Sequence, residues 1–371
     1  MRVIFRGALY LCVFLCAIAL LAGCSKPAAE EVASTLVPTI EILPPTAIVQ
    51  ATMPVQTDVQ DPPVAPTVVI TTPSVASQDQ SPVTGNSVPG RPYKPVIVMV
   101  ENSKDARPQS GVGTADIVYE TYVEGSTTRF MLLFNDFYPE KVGPCRSVRM
   151  YHIDIGLQYD PMFVHFGAAE GDKTNAYARL RSNVFRKRID GMTSSLFWRA
   201  SDRAAPHNAY INLSKTVADE YPQSNPSVMP QRLYADAADY AGTDVSVVKI
   251  PYTTANTVTY RYNRDENLYA RYIGDVEFKD QQTGQVKVRN IVVQYVEQWS
   301  QGTAAGHLGM TIRGEGTARF FVAGKMIEGT WKYDSAAKQT IYYDNAGAEM
   351  VWQRGNTYFQ IVPKNMQITA E

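Results

Sequence analysis

The chain begins with two early arginines, an apolar run and a small-residue ending. Arg2 and Arg6 lie at the start of a stretch that ends in Leu21-Ala22-Gly23-Cys24. A positive start, a short apolar core and small residues before a cleavage point are typical of a secretory signal peptide. In endings of this kind the cysteine sulfur receives a lipid and the cysteine becomes the new N-terminus. We therefore predict a signal peptide at residues 1–23, lipidation at Cys24 and an extracytoplasmic chain anchored to the cell membrane.

Cleavage and lipidation also determine how the rest of the chain is stabilised. Cys12 and Cys16 leave with the signal and Cys24 is acylated, so Cys145 is the one remaining thiol. No intramolecular disulfide can form, although the compartment would permit one. The folded part therefore depends on an ordinary hydrophobic core.

Net charge limits the partners of the mature chain. Removal of Arg2 and Arg6 with the signal takes the formal net charge from −1 to −3. A chain so close to neutral has no basic footprint for nucleic acid and no polybasic patch for anionic lipid. We expect no nucleic-acid partner and membrane contact through the N-terminal lipid. A transmembrane anchor over residues 3–22 is the alternative, but that run carries Arg6 and barely spans a bilayer.

Residues 24–88 are rich in proline, threonine and valine and carry hardly any charge. Ten prolines recur in this stretch, at positions 27, 38, 44, 45, 54, 62, 63, 66, 73 and 82. Such a segment has few helix or strand signals and reads as an extended, disordered tether. An isolated strand over the apolar patch at 67–72 is the less favoured interpretation. The tether would hold the folded part away from the membrane.

The folded part divides into two segments of different pattern. Residues 89–225 mix strands and helices, which predicts an α/β sandwich domain. Their strands are expected at 95–100, 115–123, 128–134 and 162–166, and their helices from Pro144, over 172–188 and over 214–221. Residues 246–364 show short strands with turn residues every eight to twelve positions, which predicts a mostly antiparallel β domain. The expected class is α+β, with residues 223–245 as the connection.

Several motifs in order resemble one family, the YerB-like lipoproteins with DUF3048 N- and C-terminal domains. The motifs are Ala106-Arg107-Pro108-Gln109-Ser110-Gly111, Ala115–Glu120, Val123-Glu124-Gly125, Thr128-Arg129-Phe130, Val142–Arg149, Arg199–Asn208, Gly324-Lys325, Glu328–Trp331, Asp344–Gly347 and Ile361-Val362-Pro363. The resemblance covers residues 90–363. It implies a lipid-anchored, two-domain envelope protein with no established catalysis, linked to penicillin-binding proteins and cell-wall assembly. Cys145 departs from the family pattern, which normally has an apolar residue there.

The motifs of the first domain contain many arginines and carboxylates. An arginine-lined cleft suits carboxylate or phosphate groups through bidentate hydrogen bonds. We therefore expect a binding site for cell-wall components, such as peptidoglycan, or for cell-wall synthesis proteins. The expected ligand-binding residues are Arg107, Arg129, Arg146, Arg149, Arg203, His207 and Asn208.

Two alternatives remain open for the same charges. Alternation along a strand places Asp116, Glu120 and Glu124 on one face, so that these carboxylates could serve a cell-wall hydrolase or transferase, with Glu120 and Glu124 as its main groups. The other alternative is a structural network of salt bridges that holds the hairpin to the following helix. No recognised catalytic set favours the enzyme, so binding is the leading interpretation.

Cys145 and the histidines offer little further chemistry. A thiol at a helix start beside Arg146 would be nucleophilic, and His165 is its conceivable partner. However, the spacing does not match that of known cysteine transpeptidases, and a small buried residue is the simpler interpretation. The four histidines lack metal-ligand spacing with other ligands. We expect no metal and no cofactor.

Overall fold

The computed structural model describes residues 73–171, 174–236 and 240–371. The predicted signal peptide, the lipidation site at Cys24 and most of the predicted tether lie outside the described residues. No helix within these ranges is both long and apolar enough to cross a membrane.

Among the described residues strands dominate, and the three short α-helices all lie before residue 221. Up to residue 236 the elements are β1 (Ser74–Val75), β2 (Val96–Glu101), β3 (Ile117–Tyr122), β4 (Thr128–Phe134), α1 (Met150–Gly156), β5 (Met162–His165), α2 (Ala176–Arg181), β6 (Lys187–Asp190), β7 (Phe197–Arg199), β8 (Ala209–Ile211), α3 (Leu213–Glu220) and β9 (Leu233–Ala235). From residue 243 they are β10 (Thr243–Asp244), β11 (Val247–Thr253), β12 (Asn256–Asn263), β13 (Leu268–Ile273), β14 (Val276–Glu277), β15 (Lys279–Asp280), β16 (Gly284–Gln285), β17 (Lys287–Val288), β18 (Asn290–Val296), β19 (Gln298–Ser300), β20 (Leu308–Met310), β21 (Glu315–Val322), β22 (Lys325–Asp334), β23 (Gln339–Asp344), β24 (Val351–Gln353), β25 (Thr357–Pro363) and β26 (Thr369–Ala370).

An eleven-stranded central sheet takes strands from both halves of the chain. Its order is β10, β22, β21, β18, β25, β3, β4, β2, β5 and β6, with β23 paired to β22. Strand β25 runs parallel to β18 on one side and to β3 on the other. The two segments that differ in sequence pattern therefore share one continuous sheet.

The composition of β2 shows how the central sheet is covered on both faces. All six of its residues are buried. Ile97 and Met99 belong to the hydrophobic cluster that includes α1 and α2, whereas Val98 and Val100 belong to the cluster that includes β11 and β12. A continuous apolar run is typical of a strand buried on both sides.

A six-stranded sheet covers the second face. Its order is β14, β13, β12, β11 and β26, with β17 paired to β13, and the pairings are antiparallel. The layers are thus helices, central sheet and antiparallel sheet. The predicted α+β class, with mixed elements first and antiparallel strands later, is confirmed.

The first helix begins later than the sequence pattern indicates. Residues 143–149 are extended rather than helical, because neighbouring strands take their backbone groups. The backbone N–H of Cys145 donates to the carbonyl of Ala209 at 2.7 Å, and that of Arg146 donates to the carbonyl of Met99 at 2.9 Å. These bonds replace those that a helix would need. The extended segment positions the arginines described next.

Candidate functional site

Three parallel strands end side by side at one edge of the central sheet. Strand β2 ends at Glu101, β5 at His165 and β6 at Asp190, and β5 pairs in parallel with both of the others. In open α/β sheets, ligands usually bind beyond the carboxyl ends of parallel strands. The extended segment 143–149 crosses this edge. It brings two predicted arginines, Arg146 and Arg149, to the place where a site is expected.

Arg129 lies beneath this segment and is 5% exposed. Its Nη1 donates to the backbone carbonyl of Ser147 at 2.7 Å, and its Nε is buried without a partner among the described residues. No described carboxylate lies within ion-pair distance of its guanidinium. Burial, together with Arg149 and Arg146, lowers the pKa of Arg129 to about 9. Arg129 is therefore a buried cation with no described carboxylate within ion-pair distance, although the charge of Glu124, which Arg149 binds, acts on it from further away.

Arg146 lies beside Arg129 and is partly exposed. Its Nε is 3.3 Å from Oε2 of Glu101, and Nδ1 of His207 is 3.0 Å from the same oxygen. The other oxygen of Glu101 accepts a hydrogen bond from the Ser103 hydroxyl at 2.9 Å. The Arg146 side chain makes no further contact of this kind with a described residue, so its Nη groups have no described partner.

Arg149, in contrast, is fully engaged by Glu124. Nη2 of Arg149 donates to Oε2 of Glu124 at 2.7 Å, and Nε contacts Oε1. Nε2 of His307 is 3.4 Å from the same carboxylate, and Nδ1 of His307 is 2.8 Å from the Thr174 hydroxyl. This cluster ties the turn after β3 to the start of α1. The geometry is that of the structural alternative rather than of a ligand site.

We expect the Glu124 cluster to make stability depend on acidic pH. Burial alone would raise the pKa of Glu124, but the hydrogen bonds and charge of Arg149 outweigh it, so the net shift is downward. Because the folded pKa lies below the unfolded one, the stabilisation is complete above about pH 4.5 and is lost as the pH falls through the folded pKa. Denaturant unfolding between pH 7 and pH 3 should show a steeper loss for the wild type than for Glu124→Gln. Equal pH profiles would contradict this prediction.

Arg203 and Asn208 hold the loop that presents His207. Arg203 donates from Nη1 to the carbonyl of Ala106 at 2.6 Å and from Nη2 to that of Pro108 at 2.8 Å. Asn208 is buried and donates to the carbonyls of Ala200 and Arg203 at 2.9 and 3.0 Å. Both residues therefore hold the loop in position through hydrogen bonds to backbone carbonyls of the same chain.

Glu120 lies inside the core. It has no exposed surface, and its Oε1 accepts hydrogen bonds from Asn102 at 2.9 Å and from Thr128 at 2.7 Å. Its Oε2 is 2.9 Å from Nη2 of Arg271, which is 1% exposed and donates from Nη1 to the Tyr260 hydroxyl. A polymer cannot reach this carboxylate, so the geometry gives a catalytic role for Glu120 no support.

Arg107 and Asp116 also make internal contacts. Arg107 donates to Oδ1 of Asn256 at 2.8 Å, and burial, together with Arg271, lowers its pKa to about 10. Asp116 accepts the backbone N–H groups of residues 135–136, and burial raises its pKa well above the usual range. Neither residue has a described hydrogen bond or ion pair with Arg129 or Arg146, although Arg107 donates to the carbonyl of Asn102, which follows Glu101.

The expected common face of the three carboxylates is not observed. Glu120 points toward the antiparallel sheet, where Arg271 lies, whereas Glu124 reaches Arg149 on the helical side. The reason is that β3 ends at Tyr122, and a 3₁₀ turn follows over Glu124–Ser126. The alternation of a strand does not continue through such a turn.

Cys145 is 1% exposed, and burial raises the pKa of its thiol, which disfavours the nucleophilic thiolate. Nδ1 of His165 is 2.8 Å from the carbonyl of Gly167 instead of contacting this sulfur.

Among the described residues, no group of three or more histidines, cysteines or carboxylates could hold a metal ion. A surface cleft of about 780 Å³ lies elsewhere, lined in part by Arg313 and Lys332.

Two important residues, Glu101 and Arg271, are absent from the sequence-based set of site residues. Glu101 directly follows the apolar run of β2, and a carboxylate in that position marks the end of a buried strand. Arg271 shares a strand face with Tyr269, and both are buried. Alternation within the strand was a usable signal for an inward-facing arginine at 271.

Comparison with known proteins shows which family the chain is similar to. Residues 83–227 match the model described as "Protein of unknown function (DUF3048) N-terminal domain", and residues 248–359 match the corresponding C-terminal domain. The curated protein "Putative lipoprotein YerB" of Bacillus subtilis (strain 168) is 29% identical over 304 residues, covering 78% of this chain and 88% of that protein.

A solved structure gives the same relationship. The crystal structure of the YerB protein from Bacillus subtilis aligns with a TM-score of 0.68 at 30% identity, covering 78% of this chain and 99% of that one. Agreement in both domains, over nearly the full length of the solved chain, extends the motif resemblance to the whole folded part. The chain belongs to the YerB-like family, with DUF3048 N-terminal and C-terminal domains.

Proposed function

We propose that this protein is a lipid-anchored binding module of the cell envelope whose Arg129–Arg146 site takes an anionic group. The ligand would be a carboxylate or phosphate of a cell-wall component, or of a protein that synthesises the wall. The predicted signal peptide over residues 1–23, followed directly by Cys24, and the name of the Bacillus subtilis relative support the lipid anchor.

The observation that carries the proposal is the buried charge of Arg129, which has no ion-pair partner among the described residues. Three arginines meet at this edge of the sheet, at positions 129, 146 and 149, and among the described residues two carboxylates, Glu101 and Glu124, form ion pairs with Arg146 and Arg149. An uncompensated charge is costly in a buried position. A bound anion would supply the missing counter-charge and would accept hydrogen bonds from the free groups of Arg146.

Replacement of Arg146 by alanine is expected to weaken binding without unfolding the protein. A hydrogen bond to a charged group contributes about 1.5–3 kcal/mol, which corresponds to roughly 10- to 100-fold in affinity. Sedimentation of the purified full chain, kept in detergent, with isolated peptidoglycan sacculi measures this loss. Competition by inorganic phosphate and by acetate should release the bound wild-type protein.

The matched control is Arg261→Ala. Arg261 is also an arginine paired with a carboxylate, Asp275, but it lies on β12 and both side chains are well exposed. This control should bind as the wild type does. If Arg146→Ala and Arg261→Ala bind sacculi equally well, the arginine site is not the binding site.

The enzymatic alternative has less support from the geometry. Glu120 is enclosed with Arg271, and Glu124 is held by Arg149 and His307. A general acid or base has to come within hydrogen-bond reach of its substrate. Binding is therefore the function that the arrangement of these residues favours.

A further inference from the structure

Arg232, which directly precedes β9, is an arginine that the proposed function does not use. Its Nη2 donates to the Tyr159 hydroxyl at 2.9 Å, whereas its Nη1 is buried and has no hydrogen-bond partner among the described residues. The carboxylates that follow Tyr159 and Ala235 in the chain do not pair with Arg232, because Asp160 lies near Arg186 and Asp236 near Arg354. The Nη1 group of Arg232 therefore lacks an acceptor.

Aromatic rings surround the guanidinium of Arg232. Its central carbon lies 5.7 Å from the ring centre of Trp352 and 5.2 Å from that of Phe359. Such rings attract a cation, but their faces are much weaker hydrogen-bond acceptors than an oxygen atom or an anion. The rings therefore stabilise the charge without satisfying the N–H groups of Nη1.

The tyrosine hydroxyls around Arg232 do not supply a counter-charge. Tyr342 donates to Oε1 of Gln294 at 2.8 Å, and Tyr234 donates to the carbonyl of Pro82 at 3.2 Å. Burial raises the pKa of both tyrosines, so both phenols are neutral near pH 7. A neutral phenol that already donates its proton elsewhere cannot neutralise the guanidinium.

Arg232 lines a small cavity of about 20 Å³ together with Tyr159, Tyr342 and Trp352. A water molecule needs roughly 10–15 Å³, whereas pockets for small organic ligands measure roughly 300–1,000 Å³. The cavity is therefore suited to a water molecule or a monatomic ion. A sugar, a peptide or a phosphate ester is too large for it.

Two further polar residues line the cavity, Gln158 and Glu349. The side-chain oxygen of Gln158 accepts the backbone N–H of Thr340 at 2.8 Å, which leaves its NH₂ group as the part that can donate. Burial raises the pKa of the Glu349 carboxyl, and no arginine charge opposes this rise. Glu349 is therefore not the counter-charge of Arg232, and the cavity offers an anion both a cation and an amide donor.

We infer that this cavity binds one chloride ion, with Nη1 of Arg232 as its main donor. Chloride is small enough to enter, carries the charge that the buried guanidinium lacks and accepts hydrogen bonds from several directions. An uncompensated buried charge is costly, so the ion would stabilise the folded chain. The cavity lies where the segment before β9 meets β23 and β24, and the ion would therefore hold these elements together. The inference is independent of the Arg129–Arg146 site.

The stability of the full chain in detergent should depend on chloride. Urea unfolding is measured at increasing sodium chloride, with sodium gluconate added to keep the ionic strength constant, because gluconate is too large for the cavity. A ligand that binds only the folded state stabilises it by RT ln(1 + [L]/Kd). Above the Kd, each tenfold rise in chloride should lower the unfolding equilibrium constant about tenfold. An unfolding constant that does not change with chloride overturns the inference.

Two variants locate the ion. Arg232→Met should abolish the chloride dependence, whereas Arg261→Met should keep it. Arg261 is a matched control, because it also lies over a tyrosine ring, 5.2 Å from the ring centre of Tyr272, but it is well exposed and paired with Asp275. A dependence that persists in Arg232→Met and disappears in Arg146→Ala would place the ion at the Arg129–Arg146 site and overturn the inference.

Crystals of the wild-type protein grown in sodium bromide give a second measurement, which holds even if Arg232→Met does not fold. The expected result is an anomalous peak within hydrogen-bond distance of Nη1 of Arg232. A water molecule without anomalous signal at that position, or bromide only elsewhere, overturns the inference. Either result would leave the proposed function intact, because binding to sacculi is tested through Arg146.

Discussion

Replacing Arg271 by methionine is expected to lower the free energy of unfolding by about 3–5 kcal/mol. The change leaves Glu120, which has no exposed surface, without its counter-charge in the core. Breaking one partner of a buried ion pair is far more costly than removing both. Urea unfolding of the purified full chain, followed by tryptophan fluorescence, measures the difference.

The double variant Glu120→Gln, Arg271→Met serves as the internal control. It removes both charges and should recover a large part of the lost stability. Arg261→Ala, at an exposed pair, should change the free energy of unfolding by less than about 1 kcal/mol. A loss for Arg271→Met no larger than that of Arg261→Ala would contradict the role given to the Glu120–Arg271 pair.

Replacing Asp280 by alanine is expected to have the next largest effect, about 3 kcal/mol. Asp280 is 3% exposed, and its Oδ2 accepts the backbone N–H groups of Val112 at 2.8 Å and Gly113 at 3.3 Å. Its Oδ1 accepts those of Gln282 and Thr283 at 2.8 and 3.2 Å. Alanine leaves these donors unsatisfied, and hydrogen bonds to a charged group contribute about 1.5–3 kcal/mol each, with incomplete additivity.

Asp280→Asn and Asp275→Ala complete this experiment. Asparagine keeps one acceptor oxygen, so its loss should be intermediate, whereas Asp275 is 90% exposed and its removal should change stability only slightly. Denaturant unfolding at neutral pH gives all three values. Equal stability of Asp280→Ala and Asp275→Ala would show that the backbone N–H groups find other partners.

Both predictions concern contacts that join the two sequence segments. Glu120 and residues 112–113 lie in the first segment, whereas Arg271 and Asp280 lie in the second. Together with the pairing of β25 and β3, these contacts link the segments through both the sheet and buried charges. We expect one cooperative unfolding transition for the folded part, and each variant should shift that transition as a whole.

The local pattern of the sequence predicted the strands well and the helices less well. Strand β4 occupies 128–134, as predicted, and β2 occupies 96–101 where residues 95–100 were expected. The helix expected from Pro144 begins only at Met150. The side-chain pattern of residues 144–149 did not reveal that β2 and β8 would take their backbone hydrogen bonds, because both partners are distant in the chain.

The sequence predicted which arginines form the candidate site, but not which of them form ion pairs with carboxylates. The cluster of Arg129, Arg146 and Arg149 was identified, yet the sequence did not show that Arg149 is neutralised by Glu124 while Arg129 remains unpaired. The tertiary position of the turn that carries Glu124 decides that difference, because this turn comes from another part of the chain and reaches Arg149.

Taken alone, the sequence determined the predicted anchor, the α+β class and the family. Signal residues, the alternation of apolar and polar residues and the order of motifs are local features that can be recognised without the tertiary structure. The tertiary structure decided which charges are structural and which are free. Glu120 and Arg271 are 151 residues apart in the chain but 2.9 Å apart across two sheets. Only the packing of the layers brings such groups together, and the same packing encloses Glu120 while leaving Arg146 at the edge of the sheet.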